Sequence, residues 1–185
     1  MQQIKKYDVY SGELFDFSYD QDKLSPEEKE KDDLVWEADA LFMKSNPLHV
    51  TIFTSSFKLE ADLIQMVNNI YRGNMESCGA PNYNMDDQAH CVVMAYKNWG
   101  KTYKNIKGGN IVALSSIHPW YAKACWNHDI ELRTVQLDHL GNLKSLGSIR
   151  KLIDEKTICI IVSAPANATG RMEPSEDIAW IAQEY

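Results

Sequence analysis

The chain has 185 residues, with 19 Lys or Arg against 26 Asp or Glu and a net charge of −7. At 44% hydrophobic and 10% aromatic residues it is too apolar for a disordered chain, and its length predicts one core rather than two. The acidic balance excludes nucleic-acid or anionic-membrane binding through bulk charge, and no apolar run approaches the roughly 20 residues that span a bilayer.

Residues 1–24 mix aromatics with acids and predict an irregular arm without the apolar stretch of a secretion signal. Ser25-Pro26-Glu27-Glu28 predicts a helix start: Ser25 caps, Pro26 suits the first helical position and Glu28 completes a capping box. That helix is predicted to run to about residue 44, with Leu34, Trp36, Ala38, Leu41 and Phe42 as buried candidates. Asn46-Pro47-Leu48-His49 breaks it, because the residue before proline disfavours the helical region. Leu59, Leu63, Met66, Val67 and Ile70 then recur at helical spacing, with Gly73 as the stop. A loop over 74–85 precedes a third helix, which Asp86 and Asp87 open and which runs to about Trp99.

After Gly108-Gly109 the period changes. Strands are predicted over 111–114, 132–137 and 157–162, and helices over 119–127, 146–153 and 174–185. Strand and helix alternating at this spacing predict an α/β fold with a mainly parallel sheet flanked by helices. The predicted organisation is an arm over 1–24 and a domain over 25–185, helical across 25–105 and alternating across 110–185.

Cys78, Cys91, Cys125 and Cys159 form no CxxC pair and read as reduced, mostly buried thiols of an intracellular protein. His118, Cys125 and His128 fit no zinc spacing, so no metal ligand is assigned. There is no GxGxxG, no GxxxxGK[ST], no GxSxG and no HExxH, which removes the standard dinucleotide, P-loop, hydrolase and zinc-protease fingerprints.

Four segments in fixed order go further. They are SNPLHVTIFTSSFKLEADLIQM (45–66), SCGAPNYNMDDQAHCVVMAYKNW (77–99), SSIHPWYAKACWNHDIELRTVQLD (115–138) and IDEKTICIIVSAPANATGRMEPSEDIAWIA (153–182). Together they resemble the sphingosine-1-phosphate lyase family and, more broadly, the fold-type-I pyridoxal-phosphate-dependent decarboxylases. The resemblance implies the first half of a large catalytic domain and a dimer with shared active sites. It also implies a Gly-rich loop before a helix that cradles the cofactor phosphate with backbone N–H groups. His118 matches the histidine that stacks on the cofactor ring, and Ser163 falls at a strand end facing the pocket. Asn46 and His49 match a segment that reaches toward the substrate phosphate in the neighbouring subunit.

The departures lie at the phosphate loop. The family's loop reads roughly Thr-Ser-Gly-Gly-Thr-Glu-Ser, where this chain has Asn82-Tyr83-Asn84-Met85-Asp86-Asp87-Gln88. Asn84 and Met85 replace both glycines, and Met85 sets a long side chain where close backbone approach is needed. Asp86 adds a charge beside a dianion; at about 4 Å each such repulsion costs about 1–4 kcal/mol. A tyrosine that follows Ser-Gly in the family is replaced after Ser11-Gly12 by Glu13, Leu14 and Phe15. None of the 15 lysines matches the Schiff-base position, which the resemblance sets beyond Tyr185 with the aspartate that pairs the ring nitrogen.

Two readings follow. One is a non-catalytic subunit or scaffold derived from such a lyase, with no catalytic residue and no bound cofactor. It would need an obligate protein partner to cover the open edge of its half-sheet, and would use no nucleic acid and no transmembrane segment. The alternative is one piece of an active, pyridoxal-phosphate-dependent carbon–carbon lyase that relies on a second chain for the lysine.

Overall fold

The computed structural model describes residues 24–49 and 51–185; the predicted arm, with Ser11-Gly12, lies outside them. They divide between Ala80 and Pro81 into two compact units.

The first unit holds α1 (Pro26–Phe42) and α2 (Thr54–Ile70). Ser25 caps α1 as the sequence predicts: its Oγ accepts from Glu28 N at 3.3 Å, and Glu28 Oε2 accepts from Ser25 N at 2.8 Å. α2 ends in a Schellman motif. Arg72, not Gly73, takes the left-handed conformation (φ 55°), while Gly73 N donates to Asn68 O at 2.8 Å. Neither helix buries a residue. Leu34, Trp36 and Leu41 are 65%, 60% and 75% exposed, so the expected buried stripe of α1 is an apolar surface instead. The apolar face of α2, from Leu59 to Ile70, is exposed in the same way. Periodicity fixes which side of a helix is apolar and says nothing about what covers it.

The second unit is built as the alternation predicts. Its elements are α3 (Met85–Tyr103), β1 (Asn110–Leu114), α4 (Pro119–Asn127), β2 (Glu131–Val135), the single turn α5 (Gly147–Arg150), β3 (Thr157–Ile161) and α6 (Ser175–Glu184). The sheet is parallel in the order β2-β1-β3, with Asn110 opposite both Glu131 and Thr157. All five residues of β1 are buried, as a central strand covered on both faces requires. On one face Ile111 and Ile158 pack with Ala89 and Val93 of α3 and with Ala124 and Cys125 of α4. On the other, Val112 and Leu114 pack with Ile149, Ile178 and Ile181.

Two differences from the predicted boundaries have local causes. β2 stops at Val135, where β1 runs out of partners and Ser115 N takes the Val135 carbonyl at 2.9 Å. The helix predicted over 146–153 shrinks to α5 because the chain tightens after it: Leu152 N and Ile153 N bond three residues back, to the Ile149 and Arg150 carbonyls at 3.0 and 3.3 Å. At the N-terminal end of the sheet Asn110 donates to Asp154 Oδ1 and accepts from Thr157 Oγ1, both at 2.8 Å, and Arg133 holds Asp154 at 2.7 Å. No helix among the described residues is long and apolar enough to cross a membrane.

Candidate functional site

Open α/β sheets bind ligands outside the carboxyl ends of their strands, so those ends are where the site is built. β1 leads through Ser115, Ser116 and Ile117 to His118, the N-cap of α4. His118 Nδ1 accepts from Trp120 N at 3.3 Å, and its ring lies 4.3 Å from the Trp120 ring. One ring nitrogen of His118 is therefore committed to capping a helix.

β3 leads to Ser163, whose backbone N–H donates to Glu173 Oε2 at 2.6 Å. The other carboxylate oxygen of Glu173 accepts from Ser116 Oγ. Glu173 is only 8% exposed and ties the loop after β1 to the loop after β3. The parallel pairing of β1 and β3 sets the segments of His118 and Ser163 side by side, and this carboxylate links them. Neither Glu173 nor Ser116 stands out in the sequence. An acid beside Pro174 reads as a helix-start residue, and its link to a serine 57 positions away has no local signal. Beside this junction a cavity of about 290 Å³ is lined by Leu114, Leu137, Arg171 and Glu173.

α3 begins where the resemblance sets the phosphate loop. Asn84 is the N-cap, and its Oδ1 accepts from Asp87 N at 2.8 Å. Met85 is the first helical residue and is exposed. Asp86 Oδ2 accepts from Lys123 Nζ of α4 at 2.6 Å, and Asp86 Oδ1 lies buried 3.6 Å from His90 Nε2. His90 Nδ1 is in turn 3.2 Å from His128 Nε2, and Lys97 donates to the His128 carbonyl at 2.6 Å. Asp86 and its neighbours thus fasten α3 to α4.

The thiols offer no nucleophile in the core. Burial pushes Cys125 up to about 11 and Cys159 up to about 12, far from the thiolate range. Cys78 and Cys91 are exposed, which corrects the expectation of mostly buried thiols.

Asn46 and His49 lie in the first unit, whereas Asn84, Met85, His118 and Ser163 lie in the second. Asn46 Oδ1 accepts from Leu48 N at 3.0 Å, and the His49 carbonyl accepts from Ile52 N and Phe53 N at 2.9 Å. Both residues are exposed and shape the turn between α1 and α2.

A cofactor phosphate at the start of α3 would need free backbone donors and room for close approach. Here the Asn84 side chain already takes the Asp87 N–H, Met85 carries a side chain, and Asp86 and Asp87 bring carboxylates into the first turn. These residues do not fit a dianionic phosphate.

The parallel sheet with helices on both faces matches part of the fold-type-I fold of pyridoxal-phosphate enzymes. A sphingosine-1-phosphate lyase from Burkholderia pseudomallei superposes with a TM-score of 0.77 at 20% identity, over 84% of this chain and 37% of that one. In sequence the chain is similar to sphingosine-1-phosphate lyases and to a probable L-tyrosine/L-aspartate decarboxylase of Methanospirillum hungatei. It is 28% identical over 141 residues to the sphingosine-1-phosphate lyase of Drosophila melanogaster, covering 76% of this chain and 26% of that protein. It is 30% identical over 158 residues to that of Dictyostelium discoideum, covering 85% of this chain and 30% of that protein. The chain thus spans less than a third of the length of these two relatives. No family model matches it.

Proposed function

We propose that this chain is a non-catalytic, lyase-derived subunit that serves in a larger protein assembly. It has a three-stranded part of the sheet with helices on both faces. The observation that carries the reading is the start of α3, where Asn84 caps the helix and two carboxylates occupy the first turn. An anion site and a self-capped acidic helix start are alternatives, because both use the same backbone donors and the same end of the helix dipole. His118 is used in the same way, as a helix cap.

A second reading, one segment of an active pyridoxal-phosphate-dependent lyase, draws on the Lys123–Asp86 pair. Lys123 offsets one of the two charges, so the repulsion at this helix start is smaller than the sequence alone implies.

The test is isothermal titration of the native protein with pyridoxine 5′-phosphate, which has no aldehyde to react with surface lysines. The expected result is no saturable binding tighter than about 1 mM. One-to-one binding tighter than that overturns the non-catalytic reading. The triple variant Asn84→Gly, Met85→Gly, Asp86→Thr, which restores the central Gly-Gly-Thr of the family's loop, is expected to bind more tightly than the native chain.

A further inference from the structure

Asp86, in the first turn of α3, has one oxygen in use and one without a donor. Its Oδ2 accepts from Lys123 Nζ at 2.6 Å, whereas its Oδ1 is buried and takes no hydrogen bond. A buried carboxylate oxygen is costly to leave in that state and rarely is. His90, one turn further along α3, sets its Nε2 3.6 Å from that oxygen. The gap is too wide for a hydrogen bond, since a charged N–H closes on a carboxylate to about 2.7–2.9 Å. The side-chain amide of Asn127 stands 3.4 Å from the same ring nitrogen.

The other nitrogen of His90 also faces an acceptor. Its Nδ1 lies 3.2 Å from Nε2 of His128, the C-cap of α4, and the two rings meet edge to face at 72°. Lys97 Nζ holds His128 in place by donating to its carbonyl at 2.6 Å. A neutral imidazole has a single N–H, so neutral His90 serves either His128 or Asp86. An imidazolium has two and serves both at once. A proton on His128 as well would leave its Nε2 unable to accept, so the arrangement suits one charge and not two. The charged groups around the pair are Asp86, Asp87 and Lys97 of α3, Lys123 of α4 and Asp129 beyond its end. Both lysines are already bound, Lys123 to Asp86 and Lys97 to the His128 carbonyl. Toward the sheet the titratable groups are the Tyr121 phenol and the thiols of Cys125 and Cys159, which burial keeps neutral, while Glu131 and Arg133 of β2 pair with each other.

We infer that His90 is a proton-operated clamp between α3 and α4. Taking up one proton, it donates from Nε2 to Asp86 Oδ1 and from Nδ1 to His128 Nε2. The chain Lys123–Asp86–His90–His128 then ties the first turns of α3 to two places on α4. Losing the proton frees Asp86 Oδ1 again. Histidine is the side chain whose charge changes between about pH 5 and pH 8, so the clamp closes as pH falls through that range and opens as it rises. This inference does not depend on whether the chain is catalytic.

The test is proton–nitrogen NMR of the histidine rings in the full chain, from about pH 8 down to about pH 5.5. Two slowly exchanging N–H signals are expected on His90 once its ring is charged, and no more than one before that. In Asp86→Ala the Nε2 signal is expected to vanish. The pH at which His90 takes its proton is expected to fall there by about one unit or more, because a nearby opposite charge favours the charged ring. Lys123→Met, which keeps Asp86 and removes the cation that shares it, is expected to move that pH the other way. A merely structural contact would not shift it in opposite directions. His128→Phe is expected to remove the Nδ1 signal alone. Three outcomes overturn the inference. The first is a single slowly exchanging N–H on His90 across the whole range. The second is loss of the His90–His128 ring contact, seen as a nuclear Overhauser effect, at the same pH at which His90 takes up its proton. The third is one and the same protonation pH in the native chain, Asp86→Ala and Lys123→Met.

Discussion

Alanine at position 100 would set its Cβ 2.7 Å from Ile158 Cγ2, at the closest approach of α3 to β3. Carbon atoms in favourable contact sit about 3.5–4.0 Å apart, so one group must move by roughly 1 Å. Ile158 is 4% exposed and belongs to the cluster that joins α3, α4 and the sheet, which leaves little room for that movement. Overpacking of this kind costs about 1–3 kcal/mol. Alanine returns about 0.5–1 kcal/mol of helix propensity, because glycine is a poor residue inside a helix. The expected net loss for Gly100→Ala is therefore about 0–2.5 kcal/mol, measured by urea denaturation followed by circular dichroism. The sharper readout is the cycle with Ile158→Ala, which removes the clashing methyl. In that background Gly100→Ala is expected to become neutral or stabilising by about 0.5–1 kcal/mol. An equal cost in both backgrounds would refute the contact as the reason for glycine here.

Hydrogen bonds, chiefly from Arg133 and then from Asn110, hold the Asp154 carboxyl down to about 2, from an ordinary value of 3.8. A carboxyl lowered on folding contributes stability that is full above its unfolded value and lost as pH falls through its folded value. The urea midpoint of the native chain is therefore expected to fall between about pH 4 and pH 2. Asp154→Asn should lower the midpoint at pH 7 and flatten that part of the profile; a parallel profile for the variant would show that Asp154 is not the group responsible. Iodoacetamide at pH 8 is expected to label Cys78 and Cys91 first, because both are exposed while burial raises the Cys125 and Cys159 thiols. Mass spectrometry of the native and urea-unfolded protein would show it, and early labelling of Cys125 would count against the packing of α4.

The α/β alternation was legible because it rests on local signals. The capping box at Ser25 needs only residues three apart, and both of its hydrogen bonds form. α4 matches its predicted span because Pro119 starts it and the chain turns at His128 and Asp129, where Ile130 N closes on Cys125 O at 2.9 Å. What the sequence hid is carried by partners distant along the chain. Asn110 is 1% exposed and looks like an ordinary polar residue beside two glycines, yet its side chain joins Asp154 and Thr157, 44 and 47 positions away. Arg133 bonds the Leu152 carbonyl, 19 positions away, with no local signal in the sequence. In the first unit the helices were legible and their burial was not, since an apolar stripe names a face without naming its cover.

The site residues divide along the same line, and that division bears on function. Asn84 and His118 sit at helix starts, where a polar side chain has two possible uses: holding a ligand, or satisfying the helix's own unpaired N–H groups. Sequence similarity to lyases points to the first use, whereas the hydrogen bonds show the second. Glu173 extends the contrast, since both of its oxygens are spent joining the loops after β1 and β3. An acceptor already filled from within the fold is not available to a ligand unless that bond breaks, and breaking a charged hydrogen bond costs about 1.5–3 kcal/mol. The carboxyl end of this sheet is therefore held together by groups that a ligand would have to displace.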